Sequence, residues 1–271
     1  MQILFKLLFR WSRFWLNYGN PLSILWQRLV VKKGKMIVVD RQTGIRCKCN
    51  IPSYQMFGET WYNKDYNIPH FSINPGDVVI DIGANQGFFT CYLAYQGAKV
   101  FAFEPFTESF QTMLENLELN KLSDRVVAKP WAISGYNGFA ELVSTDWLGG
   151  GMNTIQSDFI KNTSINTLAK SQVQCFTLNH IIEEFQLTKI RLCKLDCEGA
   201  ELEILKELDR KHLSKIDAFV LEYHPAYPLE KLLELLMSWG THQISFAEDN
   251  EHCSRSILRL VANRELINTS S

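Results

Sequence analysis

The 271-residue chain contains no C-x-x-C pair, no internal repeat and no low-complexity tract, and its seven cysteines are odd in number. Without paired spacing there is no zinc-finger pattern and no disulfide framework, so the cysteines are expected to be buried, reduced thiols. Charge of one sign is also missing. The 28 Lys and Arg nearly cancel the 29 Asp and Glu, leaving a formal net charge of −1. That balance removes the global electrostatic footprint of a nucleic-acid binder, and no nucleic-acid partner is expected. Nor is there an uninterrupted run of the roughly 20 apolar residues that a transmembrane helix needs.

The N-terminus, "MQILFKLLFRWSRFWLNYG", comes nearest to such a run, but Lys6, Arg10 and Arg13 break it. No basic segment precedes the apolar stretch and no small-residue cleavage site follows it, so no signal peptide is expected and a cytoplasmic location is. On a helix, Gln2, Lys6, Arg10, Arg13 and Asn17 form one narrow polar stripe on an otherwise apolar surface. Such a helix either packs on the main domain or another subunit, or lies in a membrane interface through residues 1–18 with Trp11 and Trp15 at headgroup depth. Arg28, Lys32, Lys33 and Lys35 add basic charge just beyond it.

What is present is a hydrophobic content of 46%, enough for a large core. The expected organisation is an N-terminal extension over residues 1–74, with amphipathic helices and short strands, followed by one domain over residues 75–271. The domain opens on "PGDVVIDIGANQGFFTCYLAYQGAKVFAFEP", which reads as strand, glycine turn, helix, strand. A helix from Thr107 with a threonine N-cap follows, and then "RVVAKPWAIS" as a third strand. After a Gly-rich middle come the strand "IRLCKLD", a helix, the strand "IDAFVLEYH", another helix, and an antiparallel pair, "HQISFAE" and "RSILRLVAN". The repeated units predict an α/β fold: a doubly wound, mostly parallel Rossmann-like sheet with helices on both faces and an antiparallel C-terminal hairpin. Ligands of such sheets bind at the carboxyl ends of the strands. Four strand tips are thereby singled out: Asp81–Gly87, Glu104–Pro105, Lys194–Glu198 and Glu222–His224.

At the first tip, a dinucleotide fingerprint would need glycines at 83, 85 and 88, which hold Gly, Asn and Phe. That failure argues against a nicotinamide dehydrogenase. D-x-G-x-N-x-G remains, with Asp81 an acid inside an apolar strand. Glu104 ends the next strand, where an acid can accept both ribose hydroxyls of a nucleoside. On strand parity Lys194 and Asp196 share a face at the third tip, as do Glu222 and His224 at the fourth. Histidine suits proton transfer near neutral pH. Asp196, Glu198, Glu222 and His224 offer the oxygen-rich donors that a divalent metal takes, which stays the second reading; they show no tight ligand spacing, and no metal is expected. The three glycines of "WLGGGMNTI" suit a flexible loop or a mobile substrate-contact segment.

The motifs "VVIDIGANQGFFT", "VFAFEPF", "KLDCEGAE" and "FVLEYH", in that order, resemble the FkbM family of class I S-adenosylmethionine-dependent methyltransferases over roughly residues 75–225. The resemblance implies S-adenosylmethionine as cofactor. It maps Asp81, Gly83, Asn85, Gly87 and Glu104 onto cofactor-binding positions, with Pro105, Phe106, Trp131 and Ala132 near the adenine. It implies a hydroxyl acceptor on a sugar, glycan or polyketide-like small molecule. Asp196 and His224 are the groups expected nearest that acceptor, supported by Lys194 and Glu222. The alternative is a protein that keeps the methyltransferase fold without catalysis, either binding S-adenosylmethionine or a nucleotide or serving as a scaffold recruited to a membrane by its N-terminal helix.

Overall fold

A computed structural model describes residues 12, 14–31, 34–145, 153–155, 167–246 and 256–262. Its centre is a seven-stranded sheet in the order β12-β13-β11-β10-β3-β4-β5. The strands are β3 (Val78–Ile82), β4 (Lys99–Phe103), β5 (Val126–Lys129), β10 (Leu192–Leu195), β11 (Ala218–Tyr223), β12 (His242–Phe246) and β13 (Ser256–Ala262). The first five in chain order pair in parallel, and β13 runs antiparallel to both β11 and β12. The order reverses between β3 and β10, so a crevice opens at their carboxyl ends.

Both faces of the inner strands β3, β4, β10 and β11 are covered, which is why these are apolar at nearly every position, whereas the edge strand β12 is largely exposed. One face packs on α3 (Phe88–Tyr95) and α4 (Thr107–Leu119) through Phe89, Leu93, Met113 and Leu117. The other packs on α5 (Leu178–Glu184), α6 (Glu201–Lys206), α7 (Arg210–Leu213) and α8 (Leu229–Trp239) through Ile181, Leu205, Leu213 and Leu236. Gly97 and Gly240 follow α3 and α8 with left-handed φ of 95° and 64°, stopping each helix where the sequence pattern predicts.

Two expectations are corrected. "RVVAKPWAIS" is not one strand. Pro130 has no N–H for a ladder, so β5 stops at Lys129 and β6 (Ala132–Ile133) joins a second sheet. That four-stranded sheet, ordered β6-β9-β7-β8, is completed by β7 (Gly138–Thr145), β8 (Asn153–Thr154) and β9 (Thr167–Phe176) from the middle segment read as irregular. The N-cap of α4 is Phe106, not Thr107, and no side chain caps it from within. Glu104 instead accepts the Phe106 N–H at 2.8 Å.

The extension contributes a helical turn over residues 14–17, α1 (Pro21–Trp26), the hairpin β1 (Lys35–Val39) and β2 (Arg46–Asn50), and α2 (Tyr54–Gly58). Asp40 closes the hairpin turn by accepting from the Thr43 N–H and hydroxyl at 2.7 and 2.6 Å. Tyr18, Ile24, Phe57 and Trp61 belong to the same apolar cluster as Phe88 and Phe89 of α3. Two amides on α4, one turn apart, serve the backbone of β2 as a neighbouring strand would. Asn120 accepts from Arg46 N at 2.9 Å and donates to Arg46 O at 2.6 Å. Asn116 accepts from Lys48 N at 2.6 Å, donates to Lys48 O at 2.9 Å, and donates also to Gln86 O in the glycine turn at 2.8 Å. Six of the seven cysteines are described and all six are free thiols, five of them buried.

Asn116→Ala strands the Lys48 N–H, Lys48 C=O and Gln86 C=O. The expected loss is about 2–3 kcal/mol of unfolding free energy, read from denaturant titration. A loss under about 0.5 kcal/mol would show that the amide does not tie the extension to the glycine turn.

Candidate active site

The carboxyl ends of β3, β4, β10 and β11 border one cavity of about 320 Å³, a size that suits a small ligand. Gly83, Asn85, Glu104, Pro105, Trp131 and Ala132 line it. So do Asp196, Glu198, Glu222 and His224. Asp81, Gly87, Phe106 and Lys194 lie outside the lining and act from behind it.

Gly83 and Gly87 are demanded by space. Gly83 has φ of 72°, and a Cβ there would stand 1.8 Å from the Asp196 carbonyl oxygen. The first and third tips therefore touch backbone to backbone. Gly87 has φ of 79° and a Cβ would meet Met113 Cγ at 2.5 Å, so α3 begins hard against α4. Asn85 takes the left-handed conformation that asparagine tolerates, with φ of 49°, and its amide Oδ1 accepts from Ser109 at 3.2 Å.

Glu104 is nearly buried, at 7% exposure. Its two carboxylate oxygens accept from Phe106 N and Asn85 N, both at 2.8 Å. Each oxygen keeps a lone pair for a ligand hydroxyl. Burial pushes Glu104 up to about 7, against the two backbone N–H donors and Lys194, which lower it. Trp131 stands beside it in an aromatic group with Phe103 and Phe176, at ring-centroid separations of 6.2 and 4.6 Å.

Lys194 is 3% exposed. Its ammonium lies 3.0 Å from Gly83 O, 3.2 Å from Asp81 Oδ1 and 3.4 Å from Asp196 Oδ2. The Asp81 contact is an ion pair without hydrogen-bond alignment, since Oδ1 has no hydrogen-bond donor aimed at it. The other Asp81 oxygen accepts from Thr90 at 2.6 Å. Burial alone would lower the basicity of Lys194, but Asp81 and Asp196 outweigh it and hold the ammonium protonated. Asp81 is fully buried in this arrangement and braces Lys194.

Tyr66 Oη lies 3.0 Å from both Asp196 Oδ2 and Glu222 Oε2. One hydroxyl proton thus stands between two carboxylates. His224 Nδ1 meets Glu201 Oε1 at 3.0 Å, and Nε2 faces Glu198 at 3.2 Å, Glu222 at 3.6 Å and Asp196 at 3.8 Å. Burial lowers the basicity of His224, but the Glu201 hydrogen bond and the charges of Glu198, Glu201 and Asp196 outweigh it and push it up to about 10. These neighbours favour the imidazolium form of His224 near neutral pH. Burial, with the neighbouring carboxylates, pushes Glu198 upward while His224 opposes. Asp196, Glu198 and His224 also bring one donor atom each to within 4.8 Å of one another. A hard divalent cation could use those donors, in competition with the Nε2 proton.

Several residues here carry no sequence signal. Tyr66 lies in the extension, in a stretch without a motif. Ser53, Gln55, Met56 and Glu59 line the same cavity, as do Leu142, Asn153 and Ile155 of the second sheet. Glu201 stood inside the "KLDCEGAE" motif, yet an acid opening a helix reads as a surface dipole partner. It is fully buried, and accepts from Cys197 N and Gly199 N, both at 3.2 Å, and from Tyr227 Oη at 3.1 Å. Most of the Gly-rich "WLGGGMNTI" segment, 147–152, lies outside the described residues.

Gly83→Ala adds backbone strain and a methyl inside van der Waals contact of the Asp196 carbonyl. The expected cost exceeds about 3 kcal/mol of stability by denaturant titration. A variant as stable as the parent would mean that the two tips do not meet.

A sequence model described as the methyltransferase FkbM domain matches residues 81–243, more than half of the chain. Methyltransferase sdnD of Sordaria araneosa is 27% identical over 206 residues, covering 67% of this chain and 79% of its own. The 31-O-demethyl-FK506 methyltransferase FkbM of Streptomyces tacrolimicus is 26% identical over 191 residues, covering 62% of this chain and 74% of its own. Among solved structures, methyltransferase FkbM from Methylobacillus flagellatus KT superposes with a TM-score of 0.51 at 14% identity. That match covers 75% of this chain and 47% of that one, and is a likeness of fold. With the cavity, the glycine turn and Glu104 arranged as described, the chain belongs to the FkbM family of methyltransferases, and its methyl donor is S-adenosylmethionine.

Proposed function

We propose that the protein is an O-methyltransferase acting on a hydroxyl of a sugar, glycan or polyketide-like small molecule, with Asp196 as the group that receives the hydroxyl proton. The observation that carries this reading is the pair of carboxylates in the cavity wall, Asp196 and Glu222, joined by Tyr66 at 3.0 Å each, in the same cavity that Glu104 lines.

The residues fit the cofactor. Glu104 offers two oxygens to vicinal hydroxyls, and Trp131 and Pro105 give a flat apolar wall. Bound S-adenosylmethionine supplies an electrophilic methyl on a cationic sulfonium. The chain's own work is to align the acceptor oxygen and accept one proton. Asp196, Glu201 and Glu222 outnumber the two cations Lys194 and His224 there, with Glu198 left out of the count because burial pushes it up to about 8. This excess favours a cationic donor and disfavours an anionic acceptor. Lys194 fixes Asp196 from behind, and Tyr66 holds it beside Glu222. The carboxylate then points at the acceptor with little rotational freedom. The O-methylation named for the Streptomyces tacrolimicus relative supports the hydroxyl as acceptor.

Asp196→Asn keeps the shape and removes the base. Calorimetry should find cofactor affinity within about threefold of the parent. Turnover of hydroxylated acceptors, found by a mass-shift screen with labelled donor, should fall by about 100-fold or more. Near-normal turnover would assign Asp196 to structure. Methylation found only at nitrogen or carbon would overturn the hydroxyl reading.

A further inference from the structure

We infer that the extension carries a docking surface for an anionic lipid bilayer, formed by the outward face of α1 and the turn that continues it to Val31. Leu22, Trp26, Leu29 and Val30 are 70%, 64%, 71% and 54% exposed. Leu22 and Trp26, four apart, share one side of α1, and Leu29 and Val30 lie on the π-helical turn Gln27–Val31 that continues it, all four facing water. The opposite side is seated: Pro21 is buried and Ile24 has no exposure. An amphipathic helix normally turns its apolar stripe to the core, and this one turns a second stripe outward. Leu16 and Val31 are exposed as well. Apolar side chains this large and this contiguous mark an interaction surface on a folded protein.

Charge selects the occupant. Residues 1–39 contain seven Lys or Arg and not one Asp or Glu, so all 29 acids of the chain lie beyond them. With a formal net charge of −1 overall, the rest of the molecule is clearly acidic. A second copy would bring basic segment against basic segment. An anionic headgroup layer would accept the basic residues while its acyl boundary takes the leucines and tryptophans. Trp26 has the amphipathic ring that settles at headgroup depth. Among the described residues no helix is long and apolar enough to cross a membrane, which suits a helix lying in the interface.

The surface is coupled to the cavity wall. Arg28 donates to Tyr54 Oη at 2.6 Å and stacks over that ring at 4.7 Å. The neighbours of Tyr54, Ser53 and Gln55, line the cavity. A bilayer on this face would therefore lie one side-chain contact from the cavity rim. The inference does not depend on the identity of the acceptor.

The test is co-sedimentation of the full chain with vesicles of phosphatidylcholine containing phosphatidylglycerol, and with vesicles of phosphatidylcholine alone. The chain should pellet with the anionic vesicles at least about tenfold more than with the neutral ones, and the excess should fall in high salt. Leu22→Gln, Trp26→Gln and Leu29→Gln together should abolish pelleting, with an unchanged thermal midpoint because all three side chains are exposed. Changing Lys32, Lys33 and Lys35 to Gln should remove the anionic preference. The inference falls if the parent stays in the supernatant with both vesicles, or if the triple variant pellets as the parent does. It also falls if light scattering shows an oligomer that the triple variant dissolves while vesicles capture nothing, since the occupant is then a second copy.

Discussion

One buried ammonium holds the site together. Lys194 sits at the point where the strand order reverses, 3% exposed, and touches a carboxylate on its own strand end, a carboxylate on β3 and the carbonyl of Gly83. Moving such a charge out of water costs several kcal/mol, and the partners on all sides offset that cost. The geometry follows from it. Asp81 cannot be an apolar residue, because Lys194 would then lose a counter-charge. Gly83 must be glycine, because its turn lies against the Asp196 backbone carbonyl while its own carbonyl accepts from Lys194. Asp196 is left pointing into the cavity with one oxygen committed and the other facing His224.

Around that centre the site is completed by parts remote in sequence. Tyr66 reaches in from the extension and bridges Asp196 to Glu222. Glu201 gathers the loop after β10 and the loop after β11 by accepting from Cys197, Gly199 and Tyr227 and pairing with His224. The extension is not an appendage in this arrangement. Asn116 and Asn120 hold its hairpin to α4, Phe57 and Trp61 share the core of α3, and Met56 and Gln55 wall the cavity.

The doubly wound sheet was legible because its strands are continuous apolar runs and its helices end at Gly97 and Gly240, signals that depend only on local chemistry. The four strand tips were legible for the same reason: a charge such as Asp81 or Lys194 inside an apolar run has few explanations. Parity then put Lys194 beside Asp196 and Glu222 beside His224. The second sheet was not legible, because β9, "TLAKSQVQCF", alternates too weakly to stand out and its partners lie far away in sequence. Nor was Tyr66, whose role exists only once 130 residues of chain have folded back to Asp196. The protonation of His224 was out of reach as well. A histidine beside a strand end looks like a base until the carboxylates around it are counted.

The central claim is that Glu104 binds the cofactor as a carboxylate, and calorimetric titration with S-adenosylhomocysteine between pH 5 and 7 tests it most directly. The ligand-free group sits at about 7, so below that pH binding must release a proton. Affinity should therefore fall as pH falls, approaching about tenfold per unit. Glu104→Gln, which sets an amide NH2 against a backbone N–H, should bind weakly with a nearly flat profile. A flat profile in the parent, or a Gln variant that binds as tightly as the parent near neutral pH, would contradict the account.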